Sequence, residues 1–333
     1  MLIDIAAHIF PKKYKEKMDK IASPSVYNKK INETLPTLYD MERRIKIMER
    51  YGEIRQVLTV CLPPVEAITD NDDTARDLAK LANDEMARIV FQYPDSFIAA
   101  AACLPMNNID DALNETDRAI NELKFRGIQI CTSINGKPLD SPELFPLYAK
   151  MERYNLPIWI HPFLPTGSPE YPTEKSSKYR TDLVFGWLHE TTIAMARLVF
   201  GGIFEKYPNL KIITHHAGAM IPNTDYRIMN SYDRAELRER DNSKQNLTRT
   251  PVESLKMFYC DTALNGNTPG LMAAHAFFGI DHMLFGTDAP MDFQLGDESI
   301  RMTIKAVENM DITEEEKKKI YEGNARRLMR LPL

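Results

Sequence analysis

Short, almost uniformly apolar segments recur along this chain and alternate with longer segments whose apolar residues are spaced three or four apart. Each short segment is bounded by Gly, Pro, Asp or Asn, a pattern typical of parallel strands that are buried on both faces. We predict eight strands: Leu2–Ala7, Ile54–Leu62, Phe97–Leu104, Gly127–Thr132, Leu156–His161, Leu210–His215, Met257–Asp261 and Met283–Gly286.

The segments between these strands carry helical periodicity and capping residues. The clearest predicted helices are Thr74–Tyr93, Asn108–Lys124, Pro142–Tyr154, Ile193–Tyr207 and Thr313–Tyr321. Eight strand–helix units are the number found in a (β/α)₈ barrel, whereas a doubly wound sheet more often has five or six strands. We therefore predict a single α/β domain over 1–333, a distorted (β/α)₈ TIM barrel. Its long insertions, 9–37 and 162–186, follow strands one and five, where a barrel builds its substrate pocket.

Charge and composition exclude several classes of protein. The chain has 42 Lys+Arg and 47 Asp+Glu, a net charge of −5, and no basic stripe, so we expect neither nucleic acid nor a membrane as partner. Its longest uncharged apolar stretch, Phe97–Leu104, is far shorter than the roughly 20 residues that span a bilayer. The four cysteines are widely spaced, which favours reduced thiols and a cytoplasmic enzyme. No glycine-rich phosphate-binding motif follows a predicted strand, which argues against nucleotide binding.

Polar side chains stand at the ends of four predicted strands, where a barrel enzyme places its chemistry. They are His8 after strand one, His161 at strand five, His215 and His216 at strand six, and Asp288 after strand eight. A lone histidine at a strand end is more often a hydrogen-bonded structural residue, and Asp288 could cap a helix. Four of the seven histidines at strand ends favour a shared site instead. Imidazole and carboxylate are the ligands that Zn²⁺, Mn²⁺ and Fe²⁺ prefer.

Several segments of the chain form a recognisable set of motifs: Ile3–Pro11, Trp159–Pro162, His216–Gly218 with Pro222, Leu284–Pro290 and the closing Gly323–Leu328, together with Arg44 ahead of strand two. This set resembles the amidohydrolase superfamily, and in particular its decarboxylase-like branch, typified by aminocarboxymuconate-semialdehyde decarboxylase and γ-resorcylate decarboxylase. The likeness extends in order over essentially the whole chain.

The resemblance implies one divalent metal ion, with Zn²⁺ the first choice and Mn²⁺ the alternative, held by His8, His161 and Asp288. It assigns acid–base catalysis to Asp288 and His216. It places Arg44 against a substrate carboxylate, and Arg227 at a neighbouring subunit's site in a homodimer; a solvated helix arginine is an equally good interpretation of Arg227. His215 ranks second to His216 as a substrate contact, because strand alternation should point it the other way.

One position departs from the family pattern. Family members carry His-x-His or Glu-x-His on the first strand, two side chains on one inward face, but here the first of the two is Ala6. Asp4 lies on the same face, one pleat deeper, and is a doubtful substitute. The site could work with three protein ligands, the metal could be weak or lost, or the alanine could be an engineered change. We favour three ligands with an open position, a recognised catalytic arrangement.

Three functions follow from these alternatives. The first is a metal-dependent, non-oxidative decarboxylase of a hydroxybenzoate-type or muconate-type acid, because the resemblance is closest to that branch. The second is a hydrolase or hydratase that uses a metal-bound hydroxide. The third is a metal-poor binding protein, which only Ala6 supports.

Overall fold

The computed structural model describes residues 1–24, 26, 29–165, 167–233 and 247–331. Its strands are short, as expected for segments buried on both faces of a barrel wall. They are β1 (Leu2–Ile9), β2 (Ile54–Val60), β3 (Phe97–Ala100), β4 (Ala102–Cys103), β5 (Ile128–Cys131), β6 (Ser133–Ile134), β7 (Lys137–Pro138), β8 (Ile158–His161), β9 (Ile212–Thr214) and β10 (Tyr259–Cys260).

The strands form two parallel runs that close into a barrel. One run is β1-β2-β3, the other is β10-β9-β8-β5-β4, and β3 and β4 are a single strand interrupted at Ala101. Single bridges from Cys260 to Met283 and from Ala7 to Ala289 bring residues 283–289 between β10 and β1. This stretch is the eighth wall segment, and its backbone contacts both neighbours, so the barrel is closed. The predicted barrel is confirmed, with an eighth strand more irregular than expected. The small antiparallel hairpin β6-β7 lies outside the barrel wall.

Helices surround the barrel. They are α1 (Lys12–Ile21), α2 (Lys29–Glu33), α3 (Met41–Met48), α4 (Val65–Ile68), α5 (Asp72–Gln92), α6 (Ile109–Asn121), α7 (Phe145–Tyr154), α8 (Trp187–Phe200), α9 (Ile203–Lys206), α10 (Asp225–Asp233), α11 (Pro251–Leu255), α12 (Thr268–Phe278), α13 (Asp297–Glu308), α14 (Glu314–Lys318) and α15 (Asn324–Met329). Single 3₁₀ turns occur at Pro36–Leu38, Glu49–Tyr51, Pro142–Leu144, His216–Gly218, Ile221–Asn223 and Ile280–His282, and π turns at Asp182–Gly186 and Lys319–Gly323. No helix in the described ranges is long and apolar enough to cross a membrane.

The helix starts follow local capping chemistry. The Asn71 side chain accepts the N–H of Thr74 at the start of α5, and Asn108 accepts two N–H groups at the start of α6. Thr313 and Glu316 form a reciprocal capping box at α14. These signals place the starts of α5, α6 and α14 close to the expected positions. The helix predicted over Ile193–Tyr207 is different: it begins earlier, at Trp187, and ends at Phe200, before the separate helix α9.

Two apolar layers hold the fold together. A larger one lies between the barrel wall and the helices, and a smaller one fills the barrel interior. The inner layer includes Ile3, Ile5, Ala6, Val57, Ala99, Ala101, Trp159, Ile213 and Leu284. This interior layer is packed side chain against side chain, so only the ends of the strands are free to present polar groups.

Of the two predicted insertions, the first contains α1 and α2. Helix α1 packs against α5 on the outside of the barrel, with Tyr14 and Met18 buried. The second insertion runs from β8 to α8 and ends in the π turn Asp182–Gly186, which leads directly into Trp187. Both segments leave the barrel at the carboxyl ends of strands.

Candidate active site

Three predicted metal ligands meet at the carboxyl end of the barrel. His8 lies near the end of β1, His161 is the last residue of β8, and Asp288 lies in the irregular eighth wall segment. One potential ligand atom from each lies within 4.8 Å of those of the other two, and the side chains of both histidines are buried. These are the only His, Cys, Asp or Glu side chains in the described ranges that group in this way.

Hydrogen bonds orient the two imidazoles. Nδ1 of His8 lies 2.9 Å from Oγ1 of Thr59, and Nδ1 of His161 donates to the carbonyl oxygen of Pro162 at 2.7 Å. Each bond uses Nδ1 and leaves Nε2 for a ligand. Such outer partners determine the tautomer and ring direction of histidine ligands in metal sites.

The donor set fits a divalent cation. Nε2 of His8 is 3.0 Å from Oδ1 of Asp288, yet this buried nitrogen has no aligned hydrogen-bond partner in the described structure. Two potential ligand atoms that are close together but not aligned as a hydrogen bond are positioned as expected for atoms that share a cation. His8, His161 and Asp288 would hold it.

The protonation states agree with this fit. Burial, with smaller contributions from His215 and His8, holds the pKa of His161 well below its usual value, so its imidazole is neutral. Burial alone would raise the pKa of Asp288, but the adjacent His8 and the other imidazoles lower it, so the carboxylate is ionised. Neutral imidazole and ionised carboxylate are the forms that bind metal.

A buried carboxylate holds the backbone that carries Asp288. Asp4 accepts the backbone N–H and the hydroxyl of Thr287, at 3.0 and 2.6 Å, together with Nε2 of Gln56 and the N–H of Ala6. All four groups are donors, so both oxygens of Asp4 are engaged and it does not replace the missing first-strand ligand. Asp288 itself has φ of 62°, a left-handed conformation that Asp tolerates better than most residues.

Ala6 faces the barrel interior. It is fully buried in the inner apolar layer, and its Cβ lies 3.0 Å from the position that a Cβ on Gly286 would occupy. The register of β1 against β2 shifts between Asp4 and Ala7, so the irregularity falls at the position where the family pattern leads us to expect a ligand. The described site therefore offers three candidate ligands.

His215 lies beside the three predicted ligands, although it was expected to point the other way. Its ring centroid is 4.7 Å from that of His161 and 5.8 Å from that of His8. The expectation is wrong because it gave the inward face to His216: Ile213 faces the barrel interior and the backbone of His215 is still extended, so alternation brings His215 to the same inward face. Nδ1 of His215 lies 3.0 Å from Oδ2 of Asp261, and both side chains are buried. His215 and Asp261 thus form a buried pair behind the ligands.

His216, like Asp288, has a left-handed backbone conformation. Its φ of 56° turns the chain and brings the ring within 6.2 Å of the Trp187 ring and 6.1 Å of the His215 ring. Trp187 also contacts the ring of His161, at 5.6 Å. Burial lowers the pKa of His216, so it is a neutral imidazole that can both donate and accept a proton. Nδ1 of His216 has no hydrogen-bond partner among the described residues.

The two predicted arginines take different positions. Arg44 is buried, and its guanidinium donates to Oε1 of Gln56 and to the backbone carbonyls of His8, Thr37 and Ala289. Through these contacts Arg44 stabilises the backbone at the two strand ends that carry His8 and Asp288. Burial lowers its pKa to about 10, so it still carries its charge at neutral pH. Arg227 is exposed on α10 and lies on the outer surface of this chain.

Sequence reasoning missed three residues that complete the site: Thr59, Trp187 and Asp261. Asp261 ends a predicted strand, so its position at the carboxyl end of the barrel was a usable signal. Trp187 is one of only two tryptophans and directly follows the second insertion. Thr59 gave no signal, because its role depends on a contact to a distant part of the chain. Asp4 was considered only as a doubtful ligand, and its contacts with Thr287 and Gln56 were not foreseen.

The sequence of this chain is similar to those of known enzymes. The family described as amidohydrolase matches residues 3–331. A γ-resorcylate decarboxylase from Polaromonas sp. strain JS666 is 31% identical over 301 residues, which cover 87% of each chain. A 2-amino-3-carboxymuconate-6-semialdehyde decarboxylase from Dictyostelium discoideum is 28% identical over 343 residues, covering 97% of this chain and 90% of the relative.

The chain is also similar to solved structures over its full length. A dihydroxybenzoic acid decarboxylase from Polaromonas sp. JS666, with bound manganese and the inhibitor 2-nitroresorcinol, aligns with a TM-score of 0.79 and 27% identity. The alignment covers 100% of this chain and 97% of that one.

Proposed function

Since this chain belongs to the amidohydrolase family, we propose that it is a metal-dependent, non-oxidative decarboxylase of a hydroxybenzoate-type or muconate-type carboxylic acid. The membership confirms the resemblance found in the strand-end motifs. The observation that carries the proposal is the cluster of two buried imidazoles, His8 and His161, with the partly exposed carboxylate of Asp288 at the carboxyl end of the barrel.

We propose Mn²⁺ or Zn²⁺ for this site. The solved relative carries manganese, and the donor set of two imidazoles and one carboxylate suits either ion. When bound, such a cation supplies positive charge that orients a carboxylate with its neighbouring hydroxyl and stabilises the electron pair left when CO₂ departs.

The reaction needs one proton at the carbon that loses CO₂. His216, a neutral imidazole with a free Nδ1 in the described site, and Asp288, an ionised carboxylate, are the groups that we assign to holding and delivering it. General acid–base catalysis of this kind typically contributes about 10²–10⁴-fold to the rate.

Two further side chains support this chemistry. Asp261 beside Nδ1 of His215 favours a proton on that nitrogen, so that Nε2 of His215 is an acceptor. Trp187 packs over His161 and His216 and shields them from bulk water. A drier site strengthens the electrostatic interactions within it.

We also propose a homodimer in the cytoplasm. Arg227, exposed on α10, is available to a second copy of the chain, and the four cysteines are buried and unpaired, as expected in a reducing compartment. Light scattering of the purified protein measures its oligomeric state, and a monomer with full activity would reject the homodimer.

CO₂ release tests the proposed reaction. The protein is loaded with Mn²⁺ or Zn²⁺ and supplied with a panel of hydroxybenzoates and muconate-type acids, and CO₂ and the decarboxylated product are measured together. We expect both in equal amounts. Products of hydrolysis or hydration alone would reject the decarboxylase, and well under one equivalent of bound metal would reject both enzymatic functions.

A further inference from the structure

A small recess lies beside the metal-ligand set, on the side of the barrel formed by β2, β4 and β5. It is lined by the segment from Val60 to Glu66 and by Cys103, Leu104, Met106, Gln129, Ile130 and Cys131. In the barrel register Cys131 is directly opposite the ligand His161, and Gln129 is opposite Trp159. Residues opposite each other on parallel strands share a face, so this recess opens on the interior of the barrel mouth.

The recess also lies close to His8, through Thr59 and Cys61 on β2 and its continuation. Thr59, which contacts His8, is two residues before Cys61, so the two side chains share the inward face of β2 and its continuation. Burial and the charge of Asp288 raise the pKa of Cys61 to about 12. The recess is therefore adjacent to both His8 and His161.

The recess is too small for a ring. Its volume is about 20 Å³, and a buried water needs about 10–15 Å³. It has room for one substituent of a ring, such as a hydroxyl, while the ring itself would lie between the recess and the ligands.

Two unsatisfied oxygen atoms line this space. Glu66 is 4% exposed, and its Oε1 has no hydrogen-bond partner in the part of the chain described. Oε1 of Gln129 is likewise unpartnered there, while its amide group donates to the carbonyl of Val60 at 2.9 Å. Buried polar atoms in native proteins are nearly always paired, so two such atoms at one recess indicate a missing partner.

The surrounding groups define the chemistry of that partner. Burial raises the pKa of the Cys103 and Cys131 thiols, so both are neutral and weakly polar. None of the described residues that line the recess is Lys or Arg, and the nearby Arg44 donates to backbone carbonyls and Gln56. An anionic group is therefore disfavoured there. Burial also raises the pKa of Glu66 to about 7, and a hydroxyl can pair with either form of the carboxyl because it both donates and accepts.

We propose that this recess binds one ring hydroxyl of the substrate and that Glu66 and Gln129 determine specificity for it. The inference rests on the proposed function, because it takes the carboxylate of the same substrate to lie at His8, His161 and Asp288. It selects hydroxylated aromatic acids over acids that present a methyl group or a second carboxylate at this position.

The test compares ligands that differ by one isosteric substituent. Hydroxyl and methyl derivatives of 2-hydroxybenzoate, paired at each of ring positions 3 to 6, are titrated calorimetrically into the Mn²⁺-loaded protein. We expect one position at which the hydroxyl compound binds at least about tenfold more tightly than its methyl partner. In Glu66→Leu that ratio should fall to about one, whereas Glu66→Gln, which keeps an acceptor oxygen, should retain part of it.

Glu66→Leu is expected to fold, because it replaces a buried carboxyl, whose Oε1 has no partner among the described residues, with an apolar side chain of similar size. Glu143→Leu makes the same change at an exposed glutamate and should leave the hydroxyl preference intact. The proposal is overturned if no ring position shows the preference, or if Glu66→Leu retains it in full.

The binding measurement separates this inference from the proposed reaction. A hydroxyl preference that depends on Glu66, without CO₂ release, would support the recess and reject the decarboxylase. CO₂ release without that preference would support the decarboxylase and overturn the recess.

Discussion

Thr287 donates its hydroxyl to Oδ2 of Asp4 at 2.6 Å and its backbone N–H to Oδ1 of the same carboxylate at 3.0 Å. These two bonds join β1 to the irregular eighth wall segment, one residue before the ligand Asp288. The same hydroxyl accepts the N–H of Ala289 at 3.1 Å. Thr287 thereby holds the residues on both sides of a left-handed Asp288 in place.

Thr287→Val should loosen this turn. The change removes a buried hydroxyl that donates to Asp4 and accepts from Ala289, so we expect a loss of about 2 kcal/mol in the free energy of unfolding. Mn²⁺ affinity should fall with it, because the turn that positions Asp288 relaxes. Chemical denaturation and metal titration measure the two effects. Thr287→Ser, which keeps the hydroxyl, is the control, and unchanged affinity in Thr287→Val would contradict the role.

Asp288→Asn should remove the charge of a ligand and keep its backbone conformation, since Asn also tolerates the left-handed region. We expect less than one equivalent of bound Mn²⁺ and loss of CO₂ release. Elemental analysis after dialysis gives the first quantity independently of activity. Substantial turnover by this variant would count against the assignment of Asp288 as ligand and proton carrier.

Asp261→Asn tests the pair behind the ligands. Oδ1 of Asp261 accepts the N–H groups of Ala217 and Ala263, and an asparagine oxygen can keep both bonds. The new amide would face Nδ1 of His215 and favour the other imidazole tautomer. We expect kcat to fall about 10- to 100-fold with KM little changed. If both constants matched those of the wild type, His215 would have no part in the reaction.

Ala6→His restores the residue type that the family carries on its first strand. We expect Mn²⁺ to bind about tenfold more tightly, or ~1.4 kcal/mol, at a cost of about 1–3 kcal/mol in stability, because the interior around Ala6 and Gly286 is filled. Ala6→Leu adds similar bulk without a ligand atom and should share only the stability loss. Equal metal affinity in the two variants would show that position 6 does not reach the metal.

The stability of the protein should depend on the ionisation of Glu66. Burial raises its pKa from 4.5 to about 7, so the folded state binds this proton more tightly than the unfolded state does. The resulting stabilisation is full below pH 4.5 and is lost as the pH rises through about 7.

Comparison with Glu66→Gln isolates this effect, because every other titrating group is common to the two proteins. Relative to that variant, the wild type should lose about 3 kcal/mol of unfolding free energy between about pH 4.5 and pH 8. Urea denaturation across this range measures the difference. Parallel stability profiles would show that Glu66 is not desolvated in the folded state.

Much of this site was accessible from sequence because barrel geometry converts chain position into spatial position. The carboxyl ends of parallel strands meet at one end of a barrel, so the strand-end histidines and Asp288 could be grouped without any coordinates. The choice of His8, His161 and Asp288 as ligands, and the recognition that Ala6 stands at a ligand position, came from the family resemblance.

The choice of inward face failed at strand six. His215 was expected to point away from the site, but it shares the inward face with Ile213, two residues earlier, and its backbone is extended. His216, which was expected on that face, has a left-handed backbone that turns the chain. Arg44 was expected at a substrate carboxylate, and only its contacts to backbone carbonyls reveal the structural task.

By itself, the sequence determined the barrel and the clustering of polar side chains at its strand ends, since periodicity and strand order are local properties of the chain. The tertiary structure alone decided the contacts of Asp4 with Thr287, the pairing of His215 with Asp261, and the burial of Glu66, whose Oε1 has no partner among the described residues. Each of these depends on which distant residues share a buried volume, and burial determines whether a polar group needs a partner.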